Sequence, residues 1–426
     1  MLDLLVRNAT LPDGETGIDI AVNNGRITSI SRGISADAHT ILDADGWLVT
    51  PPFVDSHFHL DATLSAGRPR VNQSGTLLEG IDIWGELSPT LTVEDIYERA
   101  REQCLWSIAR GCLAIRSHVD ITDNALLAVD ALVALRNDLA PWIDLQLVAF
   151  PQYGYFRHPN ARANMIRALD RGLDVVGGIP HFERTMMEGG DSVGALCRIA
   201  ADRGLLVDMH CDETDDPNSR HVERLALEAH RLDLHGRVAG SHLTSMHSMD
   251  NYYVSKLLPL MQEAGLAAVA NPLINIVIQG RHDTYPKRRG LTRVKEMIEA
   301  GIPVALGHDC VMDPWYSLGS HDMLEVAHMA VHVGHLTGVA EMEAMFDSVT
   351  GTAAEIMHLE GYGLQEGCNA DLVVLQARSK VEAIRVRANR LYVVRRGRVI
   401  AESAPQSVAL TLGSERESVD FVSQKG

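Results

Sequence analysis

Four short stretches of this chain carry residue types that hold a metal ion and move protons. Val54-Asp-Ser-His57-Phe-His59 places two imidazoles at i and i+2. In an extended backbone these point the same way, so both can reach one cation. Asp208-Met-His210-Cys-Asp-Glu213 offers a third imidazole and, three residues on, a carboxylate that could sit over the same ion. Ser241-His242 and Gly307-His308-Asp309-Cys310 follow. Three neutral nitrogens and a carboxylate, from His57, His59, His210 and Asp309, suit one Zn2+ or Fe2+ per chain and would bind Ca2+ or Mg2+ poorly. An HxH pair is weak evidence alone, because 19 histidines give many chance pairs. What strengthens it is position: each stretch closes an apolar run of strand length.

Those runs are Val49–Val54, Cys112–Val119, Asp144–Phe150, Val175–Pro180, Leu205–Met209, Val238–Ser241, Ala267–Ala270 and Pro303–Leu306. Between most of them lie stretches of helical period, such as Val93–Arg110, Asp191–Arg203 and Leu291–Ala300. Eight repeated βα units imply an α/β fold closed into a (β/α)8 TIM barrel, whose active sites lie at the C-terminal ends of the strands. A doubly wound open sheet is the alternative, but no GxGxxG follows the first of these runs. The two ends of the chain read differently. Leu2–Arg7, Ile18–Val22 and Arg26–Ile30, then Ala370–Leu375, Arg385–Val394 and Gly397–Ala401, are short apolar runs separated by Gly/Asn/Asp turns. The expected organisation is a small β-sandwich domain from residues 1–50 and 366–426, with a catalytic barrel over 51–365.

Composition bounds the partners. The 426 residues are 46% hydrophobic and 22% charged, with a net charge of −18. That balance suits a full-sized globular core, and the acidic surface repels polymeric nucleic acid. Six scattered cysteines without a CxxC pair suit free thiols in a reducing compartment. With neither a signal-peptide pattern nor about 18 consecutive apolar residues, the expected home is the cytoplasm, with no membrane partner. A barrel with an added β-domain is expected to form a homo-oligomer.

Other histidines are weighed against structural roles. His118 and His181 also end strands, but four groups already suffice for the ion, so packing or support is expected of them. His328, His332 and His335 lie at helical spacing and read as a helix face; His247 and His308 stay open. His181-Phe-Glu183 matches the HxE of a different zinc deaminase class, yet the PCxxC that should follow is missing.

Taken together, VDSHFHLD, HCDE, SHLTSMHS and GHDC resemble the amidohydrolase superfamily in its mononuclear deaminase branch. NQSGTLLEGI, PWIDLQLVAFPQ, DVVGGIPHFE, ANPLINI, QGRHDTYPKRRG and DPWYSLG are similar to bacterial cytosine deaminases over about residues 50–365. The resemblance implies His57, His59, His210 and Asp309 as metal ligands, Glu213 as proton shuttle and His242 as partner of the attacking water. It also implies Gln152 as reader of a pyrimidine carbonyl edge and Trp315 as a pocket wall. The implied reaction is hydrolytic deamination of a small nucleobase. Hydantoinase-type relatives commonly use a carboxylated lysine on the fourth strand, but no lysine occurs before Lys256. Adenosine deaminases share the ligand pattern, whereas the motifs around Gln152 and Trp315 resemble the cytosine enzymes. This chain departs from the pattern at one point: Cys310 stands where a second Asp follows the metal-binding Asp. A thiol is smaller and uncharged beside the 5-position of the ring. The expectation is 5-methylcytosine to thymine plus ammonia, with cytosine to uracil weaker. The alternatives are plain cytosine deamination, with Cys310 a neutral change, or deamination of isoguanine or another aminopurine or oxopurine base.

Overall fold

In the computed structural model, which describes residues 1–422, eight parallel strands follow one another around a barrel. They are Phe53–Phe58, Cys112–Asp120, Asp144–Phe150, Val175–Gly178, Leu206–Cys211, Val238–His242, Ala267–Ala270 and Val304–Leu306. Most of their residues are buried, as expected where helices cover the outside and side chains fill the inside. The first and eighth strands meet through main-chain bonds at the C-terminal mouth. Asp309 N donates to His57 O (2.8 Å) and His59 N donates to Asp309 O (3.1 Å). At the opposite end the gap is filled by the turn after a late helix, with Val54 N bonded to Val349 O and Leu306 N to Ser348 O. The barrel is therefore closed at its mouth by the very residues singled out for chemistry.

Helix starts follow from local caps. Thr92 accepts from Asp95 N to open Val93–Ala109, and Thr185 accepts from Glu188 N to open Met186–Arg203. The third expected helix is shorter than its periodic stretch and spans Val294–Glu299.

Strands from both ends of the chain form one eight-stranded sheet. It takes in Leu2–Thr10, Thr16–Asn23, Arg26–Ser31, Ala38–Asp43 and Leu48–Thr50, then Leu372–Leu375, Arg390–Arg395 and Arg398–Glu402. Leu4, Val6, Ile20, Val22, Leu372 and Val394 build its own core. Ion pairs tie it to the barrel: Arg390 with Asp322, which is buried, and Arg395 with the half-exposed Asp144 (2.8 Å).

Two expectations are corrected. The run Val49–Val54 is not one strand. Leu48–Thr50 pairs within the terminal sheet, and the barrel strand begins only at Phe53. Pro51-Pro52 lies between them, and two residues without N–H groups cannot continue a ladder. Nor is Arg385–Val394 a strand throughout. Helix Lys380–Val386, capped by Ser379 accepting from Glu382 N, precedes strand Arg390–Arg395. A strand at Ala38–Asp43 and a hairpin of Val408–Leu412 with Glu415–Val419 add elements the apolar runs do not mark. Among the described residues, no helix is long and apolar enough to cross a membrane.

Candidate active site

The barrel mouth brings the groups together. His57 lies in the first strand, His59 just after it, and His210 in the fifth; His242 ends the sixth, and Asp309 follows the eighth. His242 (φ 71°) and Asp309 (φ 69°) both hold left-handed backbone. That conformation costs a non-glycine residue energy and turns the side chain out of the strand's regular direction. Asp55 braces the junction from below. Its Oδ1 accepts from both His57 N and His308 N (3.1 Å each), and His321 Nε2 lies 2.7 Å from its Oδ2.

Donor spacing tests whether a metal fits. His59 Nε2 is 3.0 Å from His210 Nε2, and Asp309 Oδ1 is 3.4 Å from His59 Nε2 and 3.6 Å from His57 Nε2. A tetrahedral ion about 2.1 Å from each donor sets edges of about 3.4 Å. Both ring nitrogens of buried His57 lack any protein partner, as does His210 Nδ1. Burial and the neighbouring imidazoles hold His57 and His210 well below the ordinary histidine range, and burial alone takes His59 to about 3. All three are neutral imidazoles at physiological pH. Burial, with Glu213 close by, raises the Asp309 carboxyl well above its usual range. A divalent ion between these groups would reverse that, since it favours the ionised carboxylate. The donor set fits such an ion.

Glu213 stands beside this cluster. Its Oε1 is 3.2 Å from His242 Nδ1, and His242 Nε2 is 3.8 Å from Asp309 Oδ2. Burial pushes Glu213 up to about 8. Asn275 Nδ2 lies 3.0 Å from His242 Nδ1 and Asn271 Nδ2 3.3 Å from it. With Nδ1 accepting, His242 presents Nε2–H toward Asp309.

Over these groups lies a cavity of about 470 Å3, measured out to its open mouth. His59, His210, Glu213, His242, Asp309, Gln152, Cys310 and Trp315 all line it; of the groups singled out in the sequence, only His57 lies deeper. Leu77, Ile81, Ile179, Phe182, Ile274 and Ile278 make the rest of the wall largely apolar. Cys310 is buried, its Sγ 3.6 Å from Asp309 Oδ1. Burial and the nearby Asp309 and Asp313 carboxyls push its thiol well above the ordinary range, so it is a neutral group. Trp315 rests on helix Leu77–Leu87, where Gly80 faces its ring, and Trp84 packs beside it with ring centroids 6.0 Å apart.

Several contributors escape sequence reasoning. Phe150 stacks on His210 (centroids 4.1 Å, planes 19° apart). Asn271 and Asn275 support His242, and their i, i+4 spacing in ANPLINI is the one signal that could have found them. Asp313 is buried and raised to about 6 by that burial. His118 packs its ring 4.1 Å from that of His57, and His181 lines the cavity. His247 pairs with Asp215 (3.1 Å), and His308 Nδ1 donates to Cys310 O (2.9 Å). His328 and His332 share a face of helix Met323–Gly334, and His335 sits at its C-cap.

A barrel with an HxH strand end, two further imidazoles and a strand-eight carboxylate defines a class. The amidohydrolase family model matches residues 40–401, and the chain belongs to that family. It is a metal-dependent hydrolase of carbon–nitrogen bonds. Among solved structures, it is similar to 5-methylcytosine deaminase from Klebsiella pneumoniae liganded with 5-fluorocytosine. The two are 42% identical over 95% of this chain and 98% of that one, with a TM-score of 0.92. Among curated proteins, it is 28% identical to N-isopropylammelide isopropyl amidohydrolase of Pseudomonas sp. (strain ADP), over 94% of this chain and 97% of the relative. It is also 28% identical to pterin deaminase of Rhizobium rhizogenes, over 94% of each.

Proposed function

We propose that this enzyme deaminates a free pyrimidine base, with 5-methylcytosine, giving thymine and ammonia, as its preferred substrate and cytosine as a weaker one. One observation carries the preference: a buried, neutral thiol, Cys310, lines the cavity next to Asp309. The likeness to the Klebsiella enzyme supports the pyrimidine class.

In this reading His57, His59, His210 and Asp309 hold one Zn2+ or Fe2+. A divalent ion there supplies Lewis acidity and makes hydroxide available near neutral pH. The chain's own residues do the rest. Gln152 hydrogen-bonds the carbonyl edge of the ring, and Trp315 with Leu77, Ile81 and Ile278 walls it away from bulk water. Glu213 donates a proton to the ring nitrogen beside the amine-bearing carbon, so the ring never carries a full negative charge. His242 Nε2–H and Asp309 orient the attacking water and stabilise the tetrahedral centre as it forms. One proton of the water passes through the carboxylates to the exocyclic amine, the other replaces the proton that Glu213 gave up, the C–N bond breaks, and ammonia leaves. A methyl on the 5-position meets the thiol rather than a hydrated carboxylate.

The test is ammonia release from 5-methylcytosine, cytosine, isoguanine and pterin, with metal analysis of the same sample. The expected result is fastest release from 5-methylcytosine by protein holding about one ion per chain. Metal-loaded protein that releases no ammonia from either pyrimidine would overturn the proposal.

A further inference from the structure

His181-Phe-Glu183 has the HxE of another deaminase class without its PCxxC, and its glutamate has no place in the chemistry above. The structure gives it a different setting. Glu183 is buried, and no cation pairs with its carboxylate among the described residues; its partners are three main-chain N–H groups. Tyr155 N (2.6 Å) and Phe156 N (3.0 Å) donate to Oε1, and Arg157 N (2.8 Å) donates to Oε2. Successive backbone N–H groups curled round an anion form a nest, here occupied by the protein's own carboxylate. Charge-assisted bonds of this kind are about twice as strong as neutral ones.

The loop held in this way begins at Gln152. It turns sharply at Gly154, whose φ is +91°; a Cβ added there would lie 3.0 Å from Glu183 Oε2. From the other side, Arg157 Nη1 donates to Phe182 O (3.1 Å), with its guanidinium 4.5 Å from the Phe182 ring centroid. Phe182 and Gln152 both line the cavity, whereas Glu183 does not. Glu183 thus buckles the loop after the third strand to the segment after the fourth, and each carries one wall of the pocket.

We infer that Glu183 is a positioning residue: through its nest it sets where Gln152 stands, and so how tightly the pyrimidine's carbonyl edge is bound. The inference rests on the reading of Gln152 above. Without the buckle the metal and Glu213 keep their own supports, so binding should suffer more than chemistry.

Glu183→Gln keeps the shape but turns an amide N–H2 against one of the three donors. In metal-loaded enzyme it should raise KM about tenfold, the scale of one lost charged hydrogen bond. The expected change in kcat is less than about threefold, with metal content unchanged. Gly154→Ala attacks the buckle from the loop side and should reproduce this split. Gln152→Ala should raise KM by itself, and adding Glu183→Gln to it should raise KM little further, because both changes remove the same contact. Unchanged KM in both Glu183→Gln and Gly154→Ala overturns the inference. So does a full multiplication of the Glu183→Gln and Gln152→Ala effects, which would mean that Glu183 acts independently of Gln152. If Gln152→Ala leaves KM unchanged, the reading of Gln152 itself has failed and the inference falls with it. That outcome is recognised from the single variant alone. Parallel loss of metal and folded protein in the buckle variants, with no KM shift in the surviving fraction, would assign Glu183 a merely structural role.

Discussion

Cys310→Asp restores a carboxylate next to Asp309 and should swing substrate preference from 5-methylcytosine toward cytosine. The magnitude follows from the site. Burying one methyl against an apolar neighbour is worth about 0.8 kcal/mol, about fourfold in kcat/KM. Placing that methyl against a carboxylate strips water from a polar group without replacing it, at a cost of about 1–3 kcal/mol. Position 310 is 3% exposed, with Asp309 on one side and Asp313 on the other, so little solvent is available to soften either term. The sum is about 2–4 kcal/mol, a swing in the kcat/KM ratio of about 30- to 1,000-fold. Absolute rates should fall too, because a third carboxyl crowds the pair. The assay is ammonia release or ultraviolet difference absorbance on both bases, with natural and variant protein carrying equal metal. Cys310→Ser, neutral and of similar size, should leave the ratio within about threefold. If Cys310→Asp shifts the ratio no more than Cys310→Ser does, position 310 does not set the preference.

Four further outcomes follow. His210→Ala removes one of four converging donors and should lose both bound metal and turnover, as read by elemental analysis alongside activity. Glu213→Gln should keep the metal but lose about 10²–10⁴-fold in kcat, since an amide cannot pass the proton on. Gly80→Ala would put a Cβ 2.3 Å from Trp315 Cδ1; the ring must shift, and KM should rise while metal content holds. Asp322→Asn keeps the helix cap on Leu324 N but breaks the buried ion pair to Arg390, at a cost of about 3 kcal/mol at pH 7 in a denaturant titration. Burial raises the Asp322 carboxyl, but the Arg390 and Arg110 charges outweigh it and hold the group below its ordinary 3.8. A depressed carboxyl stabilises the fold above its unfolded value and loses that contribution as pH falls through the folded one. The gap between natural protein and Asp322→Asn should therefore close below about pH 3.8.

The barrel is legible because most strands carry a short apolar run with polar residues at or just past its end, a pattern that survives without knowing which strands pair. The candidate site is legible for the same reason, since its groups sit on those ends. Where two elements share one apolar run, periodicity alone misleads. Val49–Val54 contains the Pro51-Pro52 break between two sheets, and Arg385–Val394 runs from a helix into a strand. The Ser379…Glu382 spacing marks the start of that helix, but the β-branched residues following it mask the signal. Contacts distant in sequence leave no local mark at all. Nothing near Arg395 points to Asp144, 251 residues away, and nothing near Glu183 points to the backbone of Tyr155–Arg157. Phe150 reads as an ordinary strand residue until the barrel closes and lays it on His210.

The most direct measurement is the ratio of kcat/KM for 5-methylcytosine to that for cytosine, taken on the unaltered, metal-loaded enzyme under one set of conditions. The expected ratio exceeds one, by at least the roughly fourfold that one buried methyl contributes. A ratio well below one, with cytosine the clearly better substrate, would contradict the role given to Cys310 and leave a plain cytosine deaminase.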